Sequence, residues 1–135
     1  MSEKIKTENI ERIINHWVES SDDNFNSMCS MLETKHYDWA LFVGHLALEK
    51  LLKALHIKKH GRYAPFTHDL LRLARLNELD VTTEQREWLD EITLFNLNTR
   101  YIDFKKRFYF RCTSEFSAEW ADRIEKLRIW LKAKF

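Results

Sequence analysis

The sequence predicts an all-α protein, an up-and-down antiparallel bundle of about five helices. Two observations favour this fold class. The chain holds only 2 glycines and 1 proline in 135 residues, too few for the closely spaced turns of a β-sandwich or barrel. Apolar residues recur at steps of three and four over most of the length, which is the spacing of one helix face. A chain this long is expected to fold as a single domain over residues 1–135.

The first predicted helix runs from about Asn9 to Thr34. Its apolar residues repeat at helical spacing and are Ile10, Ile14, Trp17, Phe25, Met28 and Leu32. The segment from Ser20 to Asn24 is rich in serine and aspartate, which are poor helix formers, so a bend is expected there. Only Lys35 to Tyr37 then connect to the second helix, and this short link predicts that the two helices are antiparallel neighbours.

The second predicted helix, from Asp38 to His60, sorts into two arcs on a helical wheel. One arc is apolar and predicts the core-facing side: Ala40, Leu41, Val43, Gly44, Ala47, Leu48, Leu51, Leu52, Ala54 and Leu55. The other arc predicts a charged face and contains His45, Glu49, Lys53, His56 and His60. Gly61 occupies the position of a C′ glycine, and Pro65 prevents the helix from resuming.

Four large apolar residues lie among the ionisable residues of this helix: Trp39, Phe42, Leu46 and Ile57. A solvated face ordinarily carries small polar side chains, so this stripe predicts contact with another surface. Its steps are compatible with packing against a second copy of the chain. The stripe is therefore predicted to be a homodimer interface.

Three further helices are predicted in the second half of the chain. Thr67 is expected to be the N-cap of a short helix that ends near Leu76. The segment from Thr82 to Gln85 has the form of a capping box and opens a fourth helix, which ends near Leu97. The last helix begins near Ser117. The five tryptophans recur at helical spacing with other apolar residues and are expected in the core.

Charge and composition exclude several functional classes. With 22 Lys and Arg against 21 Asp and Glu, the chain has no global field for a polyanion or a membrane, so any nucleic-acid contact has to come from a local patch. No apolar run has the length of a membrane span or a signal peptide, which predicts a cytoplasmic protein without membrane contact. Cys29 and Cys112 are too few for a disulfide framework and are expected to be reduced structural thiols.

Residues 99–111 form the most basic and most aromatic segment of the chain, with five basic, one acidic and five aromatic residues. Basic side chains attract phosphate and aromatic rings stack on bases, so the segment predicts a nucleotide or single-stranded RNA site. The candidate ligand-binding residues are Arg100, Tyr101, Lys105, Lys106 and Arg107. In the alternative interpretation, the segment connects two helices across the end of the bundle, its rings fill the core and its lysines remain in water.

Three fragments, taken in order, resemble the HEPN domain family: G-H-x-A-x-E-K-x-x-K-A at residues 44–54, T-H-D-L-x-x-L at 67–73, and F-N-x-x-T-R-Y at 95–101. The resemblance covers nearly the whole chain. It implies a bundle of about five helices, usually a homodimer, often encoded beside a minimal nucleotidyltransferase in toxin–antitoxin-like systems. Many members of the family are metal-independent ribonucleases or their degenerate relatives.

The ribonuclease activity of that family depends on an arginine followed, after four to six residues, by a histidine. Arg100 matches the arginine, but Lys105, Lys106 and Arg107 occupy the positions of the histidine, and no histidine follows His68. Lysine and arginine stabilise phosphate charge but do not readily exchange protons near pH 7. We therefore expect a nucleotide-binding, RNA-binding or nucleotidyltransferase-partner module without efficient ribonuclease activity.

Two alternatives to this function remain open in the sequence. If the fold brings His45 or His68 beside Arg100, either histidine would serve as the base of a metal-independent ribonuclease. In the second alternative the cleft is a protein-docking surface, and the chain is a homodimer that acts only through protein contacts.

The charged residues of the second helix also have two interpretations. The family resemblance suggests that Glu49, Lys50 and Lys53 line a ligand cleft with Arg100, and that Glu49 holds the arginine in position. Glu49 and Lys53 equally have the spacing of an ordinary ion pair on a helix. His56 and His60 have the spacing of helical metal ligands, but no further ligand motif accompanies them, so neither a metal nor a cofactor is expected.

Overall fold

Six α-helices and no β-strand make up the computed structural model over the residues that it describes, 3–135. They are α1 (Thr7–Glu33), α2 (Tyr37–His60), α3 (Leu70–Leu76), α4 (Thr83–Arg100), α5 (Ile102–Arg111) and α6 (Ser114–Lys132). The all-α bundle is confirmed with one more helix than expected, because α5 replaces a predicted connection. The predicted domain includes Met1 and Ser2, which lie outside the described residues. No helix in this range combines the length and apolar character needed to cross a bilayer.

The first two helices, α1 and α2, form an antiparallel pair joined by residues 34–36. The Ser21 hydroxyl donates to the carbonyl of Ala47 at 2.6 Å, whereas Met28, further along α1, lies against Gly44, earlier in α2. Residues 20–24, where a bend is expected, do not interrupt α1, which is one continuous helix. Ser21 is buried and bonded to α2, so tertiary contact outweighs its low helix propensity.

The second helix, α2, lies at the centre of the bundle and packs against α1, α3, α4 and α6. All ten residues of its predicted apolar arc are buried, which confirms this arc as the side that faces the core. The helix ends as predicted at Gly61, whose φ of 65° is left-handed and whose N–H donates to the carbonyl of Ile57.

The charged arc of α2 is less open than predicted, because residues 61–69 fold back over it. His56 donates from Nδ1 to the carbonyl of Arg62 at 3.0 Å, and His45 donates from Nε2 to the carbonyl of His68 at 2.8 Å. Both histidines are buried. The two rings supply the hydrogen bonds that the carbonyls of a covering segment require.

At Gly44, three helices come into close contact. A Cβ at this position would lie 2.8 Å from Sδ of Met28 in α1 and 2.7 Å from Cδ1 of Ile124 in α6. Both distances are too short for real side chains. Only glycine therefore lets α1, α2 and α6 meet without displacing these two residues.

Side-chain caps define the starts of α3 and α4. The predicted capping box of α4 is confirmed, since Thr82 Oγ1 accepts from the Gln85 N–H at 3.0 Å and Gln85 Oε1 accepts from the Thr82 N–H at 2.9 Å. The predicted cap of α3 is wrong. Asp69 caps it by accepting from the Arg72 N–H, while Thr67 accepts from the Asp69 N–H and stabilises the preceding turn.

The ends of α4 and α6 also differ from prediction. α4 continues past Leu97 to Arg100, and its C-cap Tyr101 is a single extended residue before α5. α6 begins at Ser114 instead of Ser117, because Thr113 accepts from the backbone N–H of its first turn. The longer α4 places Arg100 on the last turn of a helix, where its backbone is fixed.

An aromatic cluster fills the part of the core between α4, α5 and α6. The Phe95 ring lies 5.4 Å from the ring of Phe108 and 5.4 Å from that of Trp120, measured between centroids. Trp120 is the one tryptophan that is buried. Trp88 and Trp130 are partly buried and pack against this core, so the prediction that all five tryptophans lie in the core is wrong only for Trp17 and Trp39.

Both cysteines are free thiols, as predicted. Cys112 is buried after α5, and burial raises the pKa of its thiol to about 12. Cys29 lies on the surface of α1 and so has no structural role in the core.

Candidate functional site

A chain of hydrogen bonds through buried groups holds the Arg100 side chain at the end of α4. Its Nε donates to Oδ1 of Asn96, one turn earlier, at 2.9 Å. The Asn96 amide nitrogen lies 3.4 Å from Nδ1 of His45 in α2. His45 Nε2 lies 2.8 Å from the carbonyl oxygen of His68. These four residues, which we call the relay, join α4, α2 and the segment before α3.

The His68 carbonyl at the end of the relay determines which atom donates and which accepts in every hydrogen bond of the relay. A carbonyl oxygen only accepts, so His45 carries a proton on Nε2. Burial lowers the pKa of His45 below its usual 6.5, so near neutral pH the ring is uncharged and its Nδ1 accepts from Asn96. The Asn96 oxygen then faces Arg100, whose Nε always donates. Each of the three hydrogen bonds of the relay thereby has one orientation that pairs a donor with an acceptor.

Glu49 of α2 lies beside the relay and orients His68. One carboxylate oxygen accepts from Nδ1 of His68 at 2.7 Å, and the other accepts from Nζ of Lys53 at 3.1 Å. The predicted ion pair between Glu49 and Lys53 is therefore confirmed. Arg100 bonds to Asn96, so the expected contact between Glu49 and Arg100 is wrong. His68 is left with Nε2 free of any hydrogen bond to residues 3–135.

The Lys53 ammonium is held by an aromatic cage as well as by Glu49. Its Nζ lies 6.0 Å from the ring centroid of Trp17 in α1 and 6.0 Å from that of Phe66, within the range of cation–π attraction. The Phe66 side of the cage is open to solvent, because this residue is 91% exposed. Lys53, predicted to bind a ligand, is already paired inside the protein.

Lys50, the other predicted ligand-binding lysine of α2, fastens α2 to α1. Its Nζ donates to Oγ of Ser20 at 2.7 Å. Burial lowers the pKa of Lys50 below its ordinary value. The structure gives Lys50 a packing contact and does not join it to the Arg100 relay.

The fifth helix, α5, displays its aromatic residues instead of burying them. Of its ten residues only Phe108 is buried, so the interpretation in which this segment fills the core is wrong for every other ring. With its N-cap, α5 exposes a mixed aromatic and basic surface. We call it the α5 surface, and it consists of Tyr101, Ile102, Phe104, Lys105, Lys106, Arg107, Tyr109 and Phe110.

The cations of the α5 surface lack acidic partners. Lys105, Lys106 and Arg107 form no ion pair with any residue of the described range, whereas Arg111 at the end of α5 pairs with Glu91 at 2.6 Å. The Lys105 ammonium lies 5.4 Å from the ring centroid of Trp39. A cleft of about 430 Å³ opens beside it and is lined by Asp38, Ile102, Lys105, Lys106, Tyr109 and Phe110.

The three motif fragments noted in the sequence meet in the relay, which contains His45, His68, Asn96 and Arg100. The sequence model of the HEPN domain matches residues 14–134. The chain belongs to the HEPN domain family. The match includes α2 to α6 completely and most of α1.

Among solved structures, this HEPN chain is similar to the crystal structure of TT1696 from Thermus thermophilus. The two are 25% identical in sequence, superpose with a TM-score of 0.76, and share a region that covers 90% of this chain and 98% of the other. No curated protein matches this sequence. The helical architecture is thus common to nearly the full length of both chains.

In the relay of this HEPN chain, one histidine, His68, is placed to exchange a proton with a bound molecule. The positions at which the family's histidine would follow Arg100 lie on exposed α5 and hold cations. His45, one predicted substitute base, is buried with both ring nitrogens hydrogen-bonded, so it has no nitrogen open to a substrate. His68, the other predicted base, is partly exposed and keeps Nε2 open.

The predicted dimer stripe is only partly available on the surface. Three of its residues are partly or largely open to solvent: Trp39, Phe42 and Leu46. Ile57 is 1% exposed, so its assignment to the stripe is wrong. The N-terminal segment crosses this end of α2, where the Ile5 N–H donates to the carbonyl of Gly61 at 2.8 Å. The homodimer itself stays a prediction.

Three site residues had no role in the sequence interpretation: Asn96, Trp17 and Phe66. Asn96 precedes Arg100 by one helical turn among apolar neighbours, and a buried amide in such a place signals a specific hydrogen-bond partner. Trp17 and Phe66 carry no comparable signal, because only the fold brings both to Lys53.

The two histidines of α2 that have the spacing of metal ligands form hydrogen bonds to the main chain instead. His56 and His60 have ring centroids 4.4 Å apart, and each donates to a main-chain carbonyl, of Arg62 and of Leu76 respectively. Across residues 3–135, no three His, Cys, Asp or Glu side chains are grouped to hold a metal ion.

Proposed function

We propose that this HEPN protein binds single-stranded RNA. In this function Arg100 and the cations of the α5 surface contact phosphates, and the exposed rings of that surface stack on bases. The observation that carries the proposal is the α5 surface itself, where three consecutive unpaired cations are flanked on both sides by exposed aromatic side chains. This combination suits single-stranded nucleic acid because every base offers a stacking face and every nucleotide a negative charge.

Arg100 supports the same function. The relay holds its Nε, and its two terminal nitrogens have no hydrogen bond to any residue of the described range. A guanidinium fixed at one nitrogen presents its outer nitrogens in a constant direction, which favours paired hydrogen bonds to a phosphate. The ring of Tyr101, 5.6 Å from the guanidinium carbon, adds an exposed stacking face next to that site.

Binding without efficient cleavage agrees with the chemistry of the α5 surface. Cleavage of RNA through its 2′-hydroxyl needs a group that accepts and returns protons near neutral pH. The α5 surface contains lysine, arginine and tyrosine, which neutralise or stack but do not titrate in that range without strong perturbation.

A salt titration of RNA affinity tests this function. The variant Lys105→Gln, Lys106→Gln, Arg107→Gln removes three unpaired charges and leaves the rings. We expect its affinity for a fluorescein-labelled 12-nucleotide oligouridine to fall at least tenfold at low salt, measured by anisotropy. The slope of log affinity against log salt should flatten by about 2, since each lost phosphate contact on a single strand contributes roughly 0.7.

The matched control is Lys4→Gln, Lys6→Gln, Lys134→Gln, which removes the same charge from exposed positions outside α5 that form no ion pair with the described residues. Equal losses in both variants would reduce the effect to net charge and contradict a site on α5. If the native protein does not bind RNA but retains a co-expressed minimal nucleotidyltransferase through these residues, the surface docks a protein instead. The roles in a toxin–antitoxin-like system stay predictions.

A second candidate function, metal-independent ribonuclease activity, is favoured by the 2.7 Å bond between Glu49 and His68. A carboxylate at Nδ1 fixes the ring and leaves Nε2 as the nitrogen that is open to a substrate. His68 Nε2 would take the 2′-hydroxyl proton, the 2′-oxygen would attack phosphorus, and the bond to the 5′-oxygen would break as water protonates it. The products are a 2′,3′-cyclic phosphate and a 5′-hydroxyl.

Cleavage assays in excess chelator test this second function. A ribonuclease of this type yields cyclic-phosphate ends that disappear in His68→Gln and are strongly reduced in Glu49→Gln. If RNA stays intact after long incubation with concentrated protein, under conditions where anisotropy shows binding, the ribonuclease function is contradicted and only the binding function remains.

A further inference from the structure

The structure assigns Asn96 and His45 the role of positioning residues, which set the direction of the Arg100 guanidinium for phosphate. This inference rests on the proposed RNA-binding function. Neither residue reaches the surface, since both are buried, so each acts only through its neighbour in the relay. The Asn96 oxygen determines where Nε of Arg100 lies, and His45 determines which way the Asn96 amide faces.

The relay has no second arrangement that satisfies all its groups. If the Asn96 amide turned over, its nitrogen would face the Nε of Arg100, and two donors would oppose each other. If His45 moved its proton from Nε2 to Nδ1, two donors would meet at Asn96 and the carbonyl of His68 would lose its partner. The His68 carbonyl can only accept a hydrogen bond. It therefore determines the tautomer of His45, the orientation of the Asn96 amide and, through that amide, the position of the Arg100 side chain.

Protonation of His45 would disrupt the relay in the same way. The charged and titratable groups that face this ring are Glu49 and Lys53 from α2 and His68 from the covering segment. From α4, Asn96 contacts it directly and Arg100 lies one bond further. A second proton on Nδ1 would turn the Asn96 amide and release Arg100. Acid would thus weaken the Arg100 contact, whereas simple charge attraction predicts tighter RNA binding in acid.

Double-mutant analysis of RNA affinity tests this role. We expect Asn96→Leu, which keeps the side-chain size, to lower affinity for the labelled oligouridine about tenfold, close to the loss in Arg100→Gln. The double variant Asn96→Leu, Arg100→Gln should lose no more than either single variant, since both remove one contact. His45→Leu should show the same loss, and His45→Gln should recover most of it, because an amide both donates to the His68 carbonyl and accepts from Asn96.

A nitrogen-15 NMR measurement of His45 gives a readout that a loss of stability would not change. In the free protein we expect the Nε2-protonated tautomer. In Asn96→Asp, where a carboxylate oxygen would face Nδ1, we expect His45 to take up its second proton at higher pH. A native Nδ1-protonated ring, or an unchanged His45 titration in folded Asn96→Asp, would overturn the inference.

The two proposals fail in different ways. Full affinity in Asn96→Leu together with a tenfold loss in Arg100→Gln would overturn the positioning role and keep Arg100 as an RNA contact. Full affinity in Arg100→Gln would remove Arg100 from RNA binding and the positioning role with it. The triple α5 variant would then still decide whether RNA binds on α5.

Discussion

The helices α2 and α5 use similar residues for opposite purposes. α2 buries 15 of its 24 residues, including two histidines and a glutamate, and contacts all five other helices. α5 buries one of its ten residues, although half of the ten are aromatic or isoleucine. Apolar content alone therefore does not tell which helix builds the core.

The difference lies in how the apolar residues are arranged and what lies between them. On α2 they fill a continuous arc, so many neighbours pack against the helix at once. On α5 three consecutive cations, Lys105 to Arg107, interrupt them, and no single face excludes water. Burial of α5 would require removing several unpaired charges from water, at a free-energy cost that its rings would not offset. Its aromatic side chains are consequently displayed, which makes them available to a ligand.

Truncating one aliphatic residue in each helix should give the largest contrast. Leu48→Ala in α2 removes a fully buried side chain and is expected to lower the free energy of unfolding by about 2–5 kcal/mol. Ile102→Ala in α5 removes a side chain that is 88% exposed and should change it by less than about 0.5 kcal/mol. Urea denaturation followed by circular dichroism measures both. Comparable losses would show that α5 is packed against a surface, such as a second copy.

The buried histidines of α2 should make the free energy of unfolding depend on pH. This effect is expected to be smaller than that of Leu48→Ala and larger than that of changes on the α5 surface. Burial is the main cause that lowers the pKa of His45 and of His56 below 6.5. The unfolded chain therefore binds more protons as pH falls below 6.5, and stability present above that pH is lost as pH falls toward the folded pKa values. Each histidine contributes at most about 1.4 kcal/mol per pH unit.

Urea denaturation at pH 7.5 and 5 measures this loss. His45→Gln should reduce the pH dependence while keeping the hydrogen bonds of the relay. The matched α5 variant Lys106→Gln should leave it unchanged, since Lys106 is exposed and forms no ion pair with the described residues. A pH dependence equal to that of the native protein in His45→Gln would mean that His45 does not titrate as its burial requires.

Only a small effect on stability is expected from removing the exposed rings of α5. The double variant Tyr109→Leu, Phe110→Leu should change the free energy of unfolding by less than about 1 kcal/mol, since both side chains are exposed. Its RNA affinity should fall by a factor of about 5 or more, because one lost base stack is worth roughly 1–3 kcal/mol. The salt slope should stay native, since every cation remains. A flatter slope would mean that the rings orient the cations rather than stack on bases.

The sequence predicted the core of the fold well where one helix face is continuous. The arc of α2, the glycine after it and the capping box of α4 depend on neighbours within a few residues, so local spacing contains the information. The separation of α4 from α5 was missed because neither glycine nor proline marks it. The break is one extended residue, Tyr101, with a ψ of 128°.

The candidate site was predicted only in part. Arg100 and the cations of α5 follow from composition and the family motif. The relay does not, because His45, His68 and Asn96 are separated in sequence and meet only after α2 and α4 have packed. Ile57 was assigned to the dimer stripe for the same reason, since its burial follows from the packed fold and not from local spacing.

Gly44 affects the order in which this fold forms. Its neighbour Met28 lies across a short hairpin, whereas Ile124 belongs to the last helix. The entropy lost on closing a loop grows with loop length, so the hairpin of α1 and α2 is expected to form before α6 docks. In the hairpin that has already formed, Gly44 then leaves the space into which Ile124 of α6 packs last.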